Sequence, residues 1–171
     1  MHTWDAIRSR RNVRDYEDRA IDKADLDRIL EAGRRTPSSR NQQRWDFVVV
    51  TDPERLDRLS RVWRGADHVA GSAATIALIA PDAESATERE SIQYDLGQLT
   101  MSIMLAATDL GVGTGHSAVK DQDLAREVIG FPEGRFCAWM IALGYPADRP
   151  LQPIEDPDRR PVDSVVHPET W

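Results

Sequence analysis

The stretch from Ser85 to Leu110 restricts the fold more than any other part of the chain. Its opening is charged (Glu84, Glu88, Arg89 and Glu90). Beyond that, Leu96, Leu99, Met101, Ile103, Met104, Leu105, Ala106 and Ala107 leave almost no polar face. Read as one long helix, it is apolar on nearly every side, and such a helix has to be buried. In a chain of 171 residues it must be a central helix or one shared with a second copy. The shared arrangement, a homodimer, is the expectation.

The remaining totals narrow the class. The length suits a single domain covering 1–171, and 40% apolar with 30% charged residues describes a globular chain. A net charge of −7 argues against a general nucleic-acid binder. No apolar run reaches the length of a bilayer span, and Met1-His2-Thr3-Trp4-Asp5 is no secretion signal. Cys137 is the only cysteine, so no intrachain disulfide can form and a reducing, cytoplasmic setting is expected. His2, His68, His116 and His167 are scattered without ligand spacing, so no metal site is expected.

Several elements are legible in order. Thr3 reads as the cap of a helix running toward Val13, and Asp22 opens a second, with Leu26, Ile29 and Leu30 on one stripe and Gly33 as its stop. Phe47-Val48-Val49-Val50 is a buried strand. Asp52-Pro53 starts a helix through Leu56, Leu59 and Val62 that Gly65 ends. Thr75 to Ala80 and Phe136 to Leu143 are further strands, with a helix from Lys120-Asp121 to Gly130 before the latter. Val162 and Val165-Val166 suggest a short edge strand near the end.

Three segments carry possible chemistry. Arg8, Arg10, Arg11 and Arg14 fall within seven residues, a density suited to a phosphate; a solvated face paired with Asp5, Asp15 and Glu17 is the alternative. The loop from Thr36 to Gln43 is rich in hydroxyls and amides and opens directly into the first strand, where a planar heteroaromatic ligand could be read. Gly111, Gly113 and Gly115 allow close backbone approach to something flat or anionic, without the spacing or lysine of a P-loop. Ser38 and Ser39 lack a nucleophile elbow, Cys137 sits in an apolar strand, and no acid–base pair stands out. Many ligand-holding groups and few catalytic ones point to a cofactor that does the chemistry.

The order of these segments resembles the nitroreductase family of flavin-dependent oxidoreductases over nearly the whole chain. Arg10-Arg11-Asn12-Val13-Arg14-Asp15-Tyr16 is similar to the family's opening Arg-Arg-Ser-x-Arg-x-Phe. Pro37-Ser38-Ser39-Arg40-Asn41-Gln42-Gln43-Arg44-Trp45 is similar to its Pro-Ser-Ser-x-Asn-x-Gln-Pro-Trp. Asp95, Gln98 and the apolar helix into Gly113 match a third stretch, and Ala142 to Pro146 followed by Arg159-Arg160-Pro161 a fourth.

The resemblance implies an α+β three-layer sandwich, a central mixed β-sheet flanked by helices, assembled as an intertwined homodimer with FMN sites in the interface. By position, Arg10, Arg11, Asn12 and Arg14 would hold the phosphate and ribityl chain, joined by Arg159, Arg160 or both. Pro37, Ser38, Ser39, Asn41 and Gln43 would line the isoalloxazine ring, in part from the other subunit. The backbone around Ser117 and Ala118 would face the hydride-accepting nitrogen. The implied activity passes hydride from NAD(P)H through flavin to a nitroaromatic, quinone or similar acceptor by a ping-pong scheme. A flavin-dependent dehydrogenase or oxidase of a biosynthetic intermediate, and a non-catalytic flavin-binding protein, stay open.

Five departures from the family pattern bear on this. Asn12 replaces a serine, and Arg44 a proline, which predicts a less rigid loop and a more basic pocket mouth. His116 stands where a large aromatic or a proline is usual, making it a candidate substrate contact, and Ala118 where a glycine or acidic residue is usual. The segment from Pro81 to Gln93 is short, which predicts an open pocket.

Overall fold

A computed structural model describes all 171 residues. Helices α1 (Thr3–Ser9), α2 (Lys23–Arg34), α3 (Pro53–Leu59), α4 (Ala86–Asp109) and α5 (Gln122–Ile129) surround strands β1 (Asp46–Val50), β2 (Ala74–Pro81), β3 (Gly113–Ala118) and β4 (Arg135–Gly144). The strands form one sheet in the order β1-β2-β4-β3. All three pairings are antiparallel, whereas a mixed sheet was expected; the parallel component is confined to a single bridge between Asn12 and Thr114.

Strand alternation builds two cores from this sheet. Ile76, Leu78 and Ala80 of β2 face one side, where Ile29 of α2 and Leu96, Leu99 and Ile103 of α4 cover them. Ala77 and Ile79 face the other, against Leu56 and Leu59 of α3 and Ala125 and Val128 of α5. The result is three layers. Each fully buried Leu or Ile contributes about 1.5–3 kcal/mol. Burying both faces of β2 explains why its sequence reads as an unbroken apolar run.

The caps follow ordinary side-chain chemistry at three helices. Asp52 accepts from Arg55 N–H, Asp121 from Leu124 N–H and Ser85 from Glu88 N–H. Thr3 is no cap: α1 begins there after His2, and neither His2 nor Asp22, the N-cap of α2, makes a side-chain capping bond. Gly33 does not stop α2, which continues through Arg34. A Cβ on it would come within 2.9 Å of Ile103, so it is glycine to let α2 lie against α4. Helix α3 ends at Leu59, well before Gly65. Val162–Ser164 is a 3-10 turn rather than an edge strand.

Helix α4 is not covered all round within one chain. Ile92, Leu96, Leu99 and Ile103 are buried, but Tyr94 and Met101 are exposed, and a Cβ on Gly97 between them would meet nothing within 4 Å.

Candidate functional site

Helix α1 stops at Ser9 instead of reaching Val13, because the chain turns extended at Arg10 and lays Val13 along the edge of β3. Val13 N–H donates to the Thr114 carbonyl at 2.8 Å. Gly113 and Gly115 make room: a Cβ at Gly115 would stand 2.4 Å from the Val13 carbonyl oxygen, and one at Gly113 2.7 Å from the Val13 side chain. The glycine-rich segment is therefore strand β3, and Gly113 and Gly115 admit the chain's own N-terminal segment where approach to a ligand was expected. Alternation along β3 puts the backbone groups of Thr114, His116 and Ala118 on the edge away from β4.

The C-terminal segment runs back beside this N-terminal one. Glu17 N–H donates to Tyr145 O at 2.8 Å, Ala147 N–H to Asp15 O at 3.1 Å and Ile154 N–H to Arg8 O at 3.1 Å. The pairing sorts the arginines. Arg8 binds Glu155; Arg11 binds Asp148 at 2.6 Å and donates to the Arg149 carbonyl at 2.7 Å. These two are occupied by the fold. The four arginines near the start do not share a helical face, since only Arg8 lies on α1.

Arg10, Arg14, Arg159 and Arg160 form no ion pair. Arg10 donates to Asn12 Oδ1 at 2.9 Å and its Nη2 lies 2.8 Å from Met104 Sδ, two neutral neighbours. Burial, with the Arg159 charge adding, holds the Arg10 guanidinium below its usual range. Arg159 donates to the Asp158 carbonyl at 2.6 Å, and Arg160 to the Ser164 carbonyl. Arg10 and Arg159, like charges from the two ends of the chain, thus lie within reach of each other and neither forms an ion pair.

His116 faces this cluster from β3. Burial pushes its imidazole below its ordinary value, with Arg10 and Arg14 adding, and its ring meets Trp139 edge-on at 5.9 Å. The side-chain oxygens of Thr114 and Ser117, both 1% exposed, have no hydrogen-bond partner. Arg14 and His68 line a cavity of about 520 Å³ with Trp63, Gly65 and Asp67.

The polar loop is built differently. Arg40, Asn41 and Gln43 adopt the left-handed region with φ of 54°, 56° and 50°, a cost of about 1–2 kcal/mol per residue that the surroundings must hold. Asp95 of α4, 2% exposed, does so: it accepts from Ser39 N–H at 3.0 Å and from Ser39 Oγ at 3.0 Å. Ser38 Oγ accepts from Gln43 N–H at 2.9 Å. Arg44 donates to Ser91 Oγ at 2.8 Å and Glu88 at 3.2 Å, and lies 3.7 Å from Asp95. Arg44 therefore ties the loop to α4 with its charge neutralised, the reverse of the looser, more basic mouth expected. The cavity beside the loop, about 500 Å³, is lined only by non-hydrophobic residues.

Loop and arginine cluster touch the same helix nine residues apart, at Asp95 and Met104. At 1.5 Å per residue that is roughly 14 Å along the axis. Within one chain Arg10 neighbours Arg159 and, with Arg14, faces His116, the residue before Ser117 and Ala118, while the loop of Pro37, Ser38, Ser39, Asn41 and Gln43 is held through Ser39 at Asp95, nearer the start of α4. Two contributors escaped sequence reasoning. Asp95 anchors the loop through Ser39, 56 residues away in sequence, and nothing beside His68 in sequence marks its place.

Comparison with known proteins gives this arrangement its family. The Nitroreductase family profile matches residues 7–71, from the arginine cluster through the polar loop. A relative from Archaeoglobus fulgidus, provisionally named an NADH dehydrogenase/NAD(P)H nitroreductase, is 31% identical over 169 residues, 96% of each chain. The chain belongs to the nitroreductase family. An FMN-dependent nitroreductase from Clostridium difficile R20291 shares this nitroreductase fold with a TM-score of 0.84 at 26% identity, covering 97% of this chain and 98% of that one. The FMN reductase [NAD(P)H] of Bacillus subtilis is 24% identical over 97% of this chain and 73% of its own.

Proposed function

We propose that this nitroreductase-family protein is an NAD(P)H-dependent flavin oxidoreductase that holds FMN and reduces a nitroaromatic, quinone or similar small acceptor by a ping-pong scheme. The observation that carries the reading is the approach of Arg159 to the partly buried Arg10 from the opposite end of the chain, neither of them in an ion pair. Guanidinium groups repel one another, and burial removes the water that would screen them. A phosphate dianion relieves that cost with paired hydrogen bonds.

The residues present fit such a group. Arg10, Arg14 and Arg159, with Arg160, would hold the phosphate, and Asn12 orients Arg10 by accepting from it. The unpartnered hydroxyls of Thr114 and Ser117 leave polar capacity on β3, whose free edge carries the backbone donors of His116 and Ala118. When bound, FMN supplies the two-electron acceptor and donor. The protein binds, orients and excludes water; it offers no buried acid–base pair at the cluster, so acceptor and nicotinamide would take one pocket in turn.

The ring subsite belongs to a dimer in this reading. The polar loop meets α4 nine residues from the arginines' contact, and Pro37, Ser38, Ser39, Asn41 and Gln43 would come from a second copy. The uncovered stripe of Tyr94, Gly97 and Met101 is the surface such a copy would cover. An absorbance experiment tests the whole. The purified protein should be yellow, bleach anaerobically with NADH or NADPH, and recover its band in air. A colourless protein that ignores added FMN overturns the proposal, and a yellow one inert to both nicotinamides removes the NAD(P)H-dependent activity from it.

A further inference from the structure

His68 is an ionisable side chain of this region that the proposed function does not use. It lies on the turn Asp67–Val69, 8% exposed, with Nε2 buried and without a hydrogen-bond partner. Its ring presses on β3: a Cβ on Gly115 would come within 2.9 Å of His68 Cδ2. His116 is the next residue along that strand, and its Nδ1 is likewise buried and unpartnered. Gly115 and His116 point to opposite faces of β3, so the two imidazoles flank the strand from either side, each with a buried unpartnered nitrogen and each feeling the Arg14 charge. An unmade buried hydrogen bond of this kind is costly unless a ligand completes it.

The charged groups facing the pair are Arg10 and Arg14, with Asp67 beside His68 on its own turn. The Tyr16 hydroxyl also packs here, but it is committed to the Val13 carbonyl at 2.7 Å. Burial pushes both imidazoles below their ordinary value, with Arg14 adding at both, His116 at His68 and Arg10 at His116; at His68 the Gly115 backbone opposes burial more than either neighbouring charge assists it, and Asp67 opposes it too. The cavity of about 520 Å³ lined by Arg14 and His68 leaves space for a ligand against His68.

We propose that His68 is a binding residue of the flavin pocket that takes up a proton as the anionic cofactor enters, with His116 as its lesser partner, so that FMN and a proton bind together. This rests on the flavin reading above. An anion among Arg10 and Arg14 replaces repulsion by attraction at both rings, and a protonated imidazole turns its unpartnered nitrogen into a donor.

The sign follows from linkage. The imidazole value is depressed in the free protein and raised in the complex, and between the two each FMN carries in a proton. Affinity is then strongest on the acid side and weakens as pH rises through the value in the complex. The phosphate's own second ionisation, at about pH 6, acts in the opposite sense but is common to every variant.

Calorimetric titration of flavin-free protein with FMN, at about pH 7 in two buffers of different ionisation enthalpy, counts the protons. Wild type should take up on the order of one proton per FMN, and His68→Gln less than about half of that. The same variant should bind FMN roughly tenfold more weakly than wild type at about pH 6, with the gap closing toward about pH 8. His116→Gln should show the same trend at smaller size. Wild-type protein that binds FMN without proton uptake overturns the proposal while leaving the flavin reading intact, and needs no variant to fold. Unchanged uptake and pH profile in His68→Gln overturns it equally. Wild-type protein that binds no FMN at any pH overturns the flavin reading itself.

Discussion

The two ends of α4 handle charge in opposite ways. At the Asp95 end, Arg44 is met by Glu88, Ser91 and Asp95, and Ser39 gives both its N–H and its hydroxyl to the same carboxylate. At the Met104 end, Arg10 meets a thioether and an amide, and Arg159 stands near it, neither of them in an ion pair. Satisfied groups hold a strained loop in shape. Unsatisfied ones leave charge that, in the proposed reading, the flavin phosphate meets. The same contrast runs through the N-terminal arginines, since Arg11 is consumed by Asp148 while Arg14 is left free.

The largest effect is expected where satisfaction is most complete. Asp95→Ala strips Ser39 of its acceptor and leaves Arg44 short of a counter-charge, and should cost about 3 kcal/mol in a urea titration. A loss under about 1 kcal/mol would mean the loop keeps its shape without Asp95 and the contrast fails at that end.

Arg14→Ala tests the other end. It should weaken FMN binding by about 1.5–3 kcal/mol, roughly 10- to 150-fold, without lowering the stability of the free protein. Arg11→Ala should do the reverse, costing at most about 1 kcal/mol of stability and leaving FMN affinity near wild type. Fluorescence titration and thermal melts on the pair separate the two roles. Equal loss of FMN in both would erase the distinction between consumed and free arginines.

Gly97→Leu asks whether a second copy joins the ends. In one chain the new side chain meets open space, so the monomer's fold should survive; in a packed dimer it overfills the contact by about 1–3 kcal/mol. Sedimentation should show dissociation at low concentration together with flavin loss. A variant that dissociates yet retains flavin would show that one chain completes the site.

The smallest effect concerns pH. His68 and His116 are held neutral in the free fold, so the unfolded chain binds more protons once pH drops below the ordinary histidine value of about 6.5. Stability they contribute is present above that value and lost as pH falls. Flavin-free protein should melt earlier at about pH 5.5 than at about pH 7.5, with the difference reduced in the two glutamine variants.

Local rules read well where each residue's role depended on near neighbours. Asp52-Pro53, Ser85 and Asp121 marked helix starts because capping is decided within one turn. The apolar runs of β1, β2 and β4 and the length of α4 were legible for the same reason. Gly111 to Gly115 misled because the approaching backbone comes from Val13, about a hundred residues away in sequence, and period-2 patterning is invisible where side chains are missing. Arg44 misled because its partners lie on α4, and Val162 to Val166 because β propensity without a strand partner makes no strand.

The sequence by itself determined the family, the layers of helix and sheet, and the kinds of side chain offered to a ligand, because periodicity, caps and motif order are written locally. Only the tertiary structure decided which arginines are free. That depended on the C-terminal segment folding back beside the N-terminal one, which delivers Asp148 and Glu155 to two guanidinium groups and brings Arg159 to Arg10. Charge is a property of a residue, but whether it is paired is a property of distance, and distance across the chain is set by the fold.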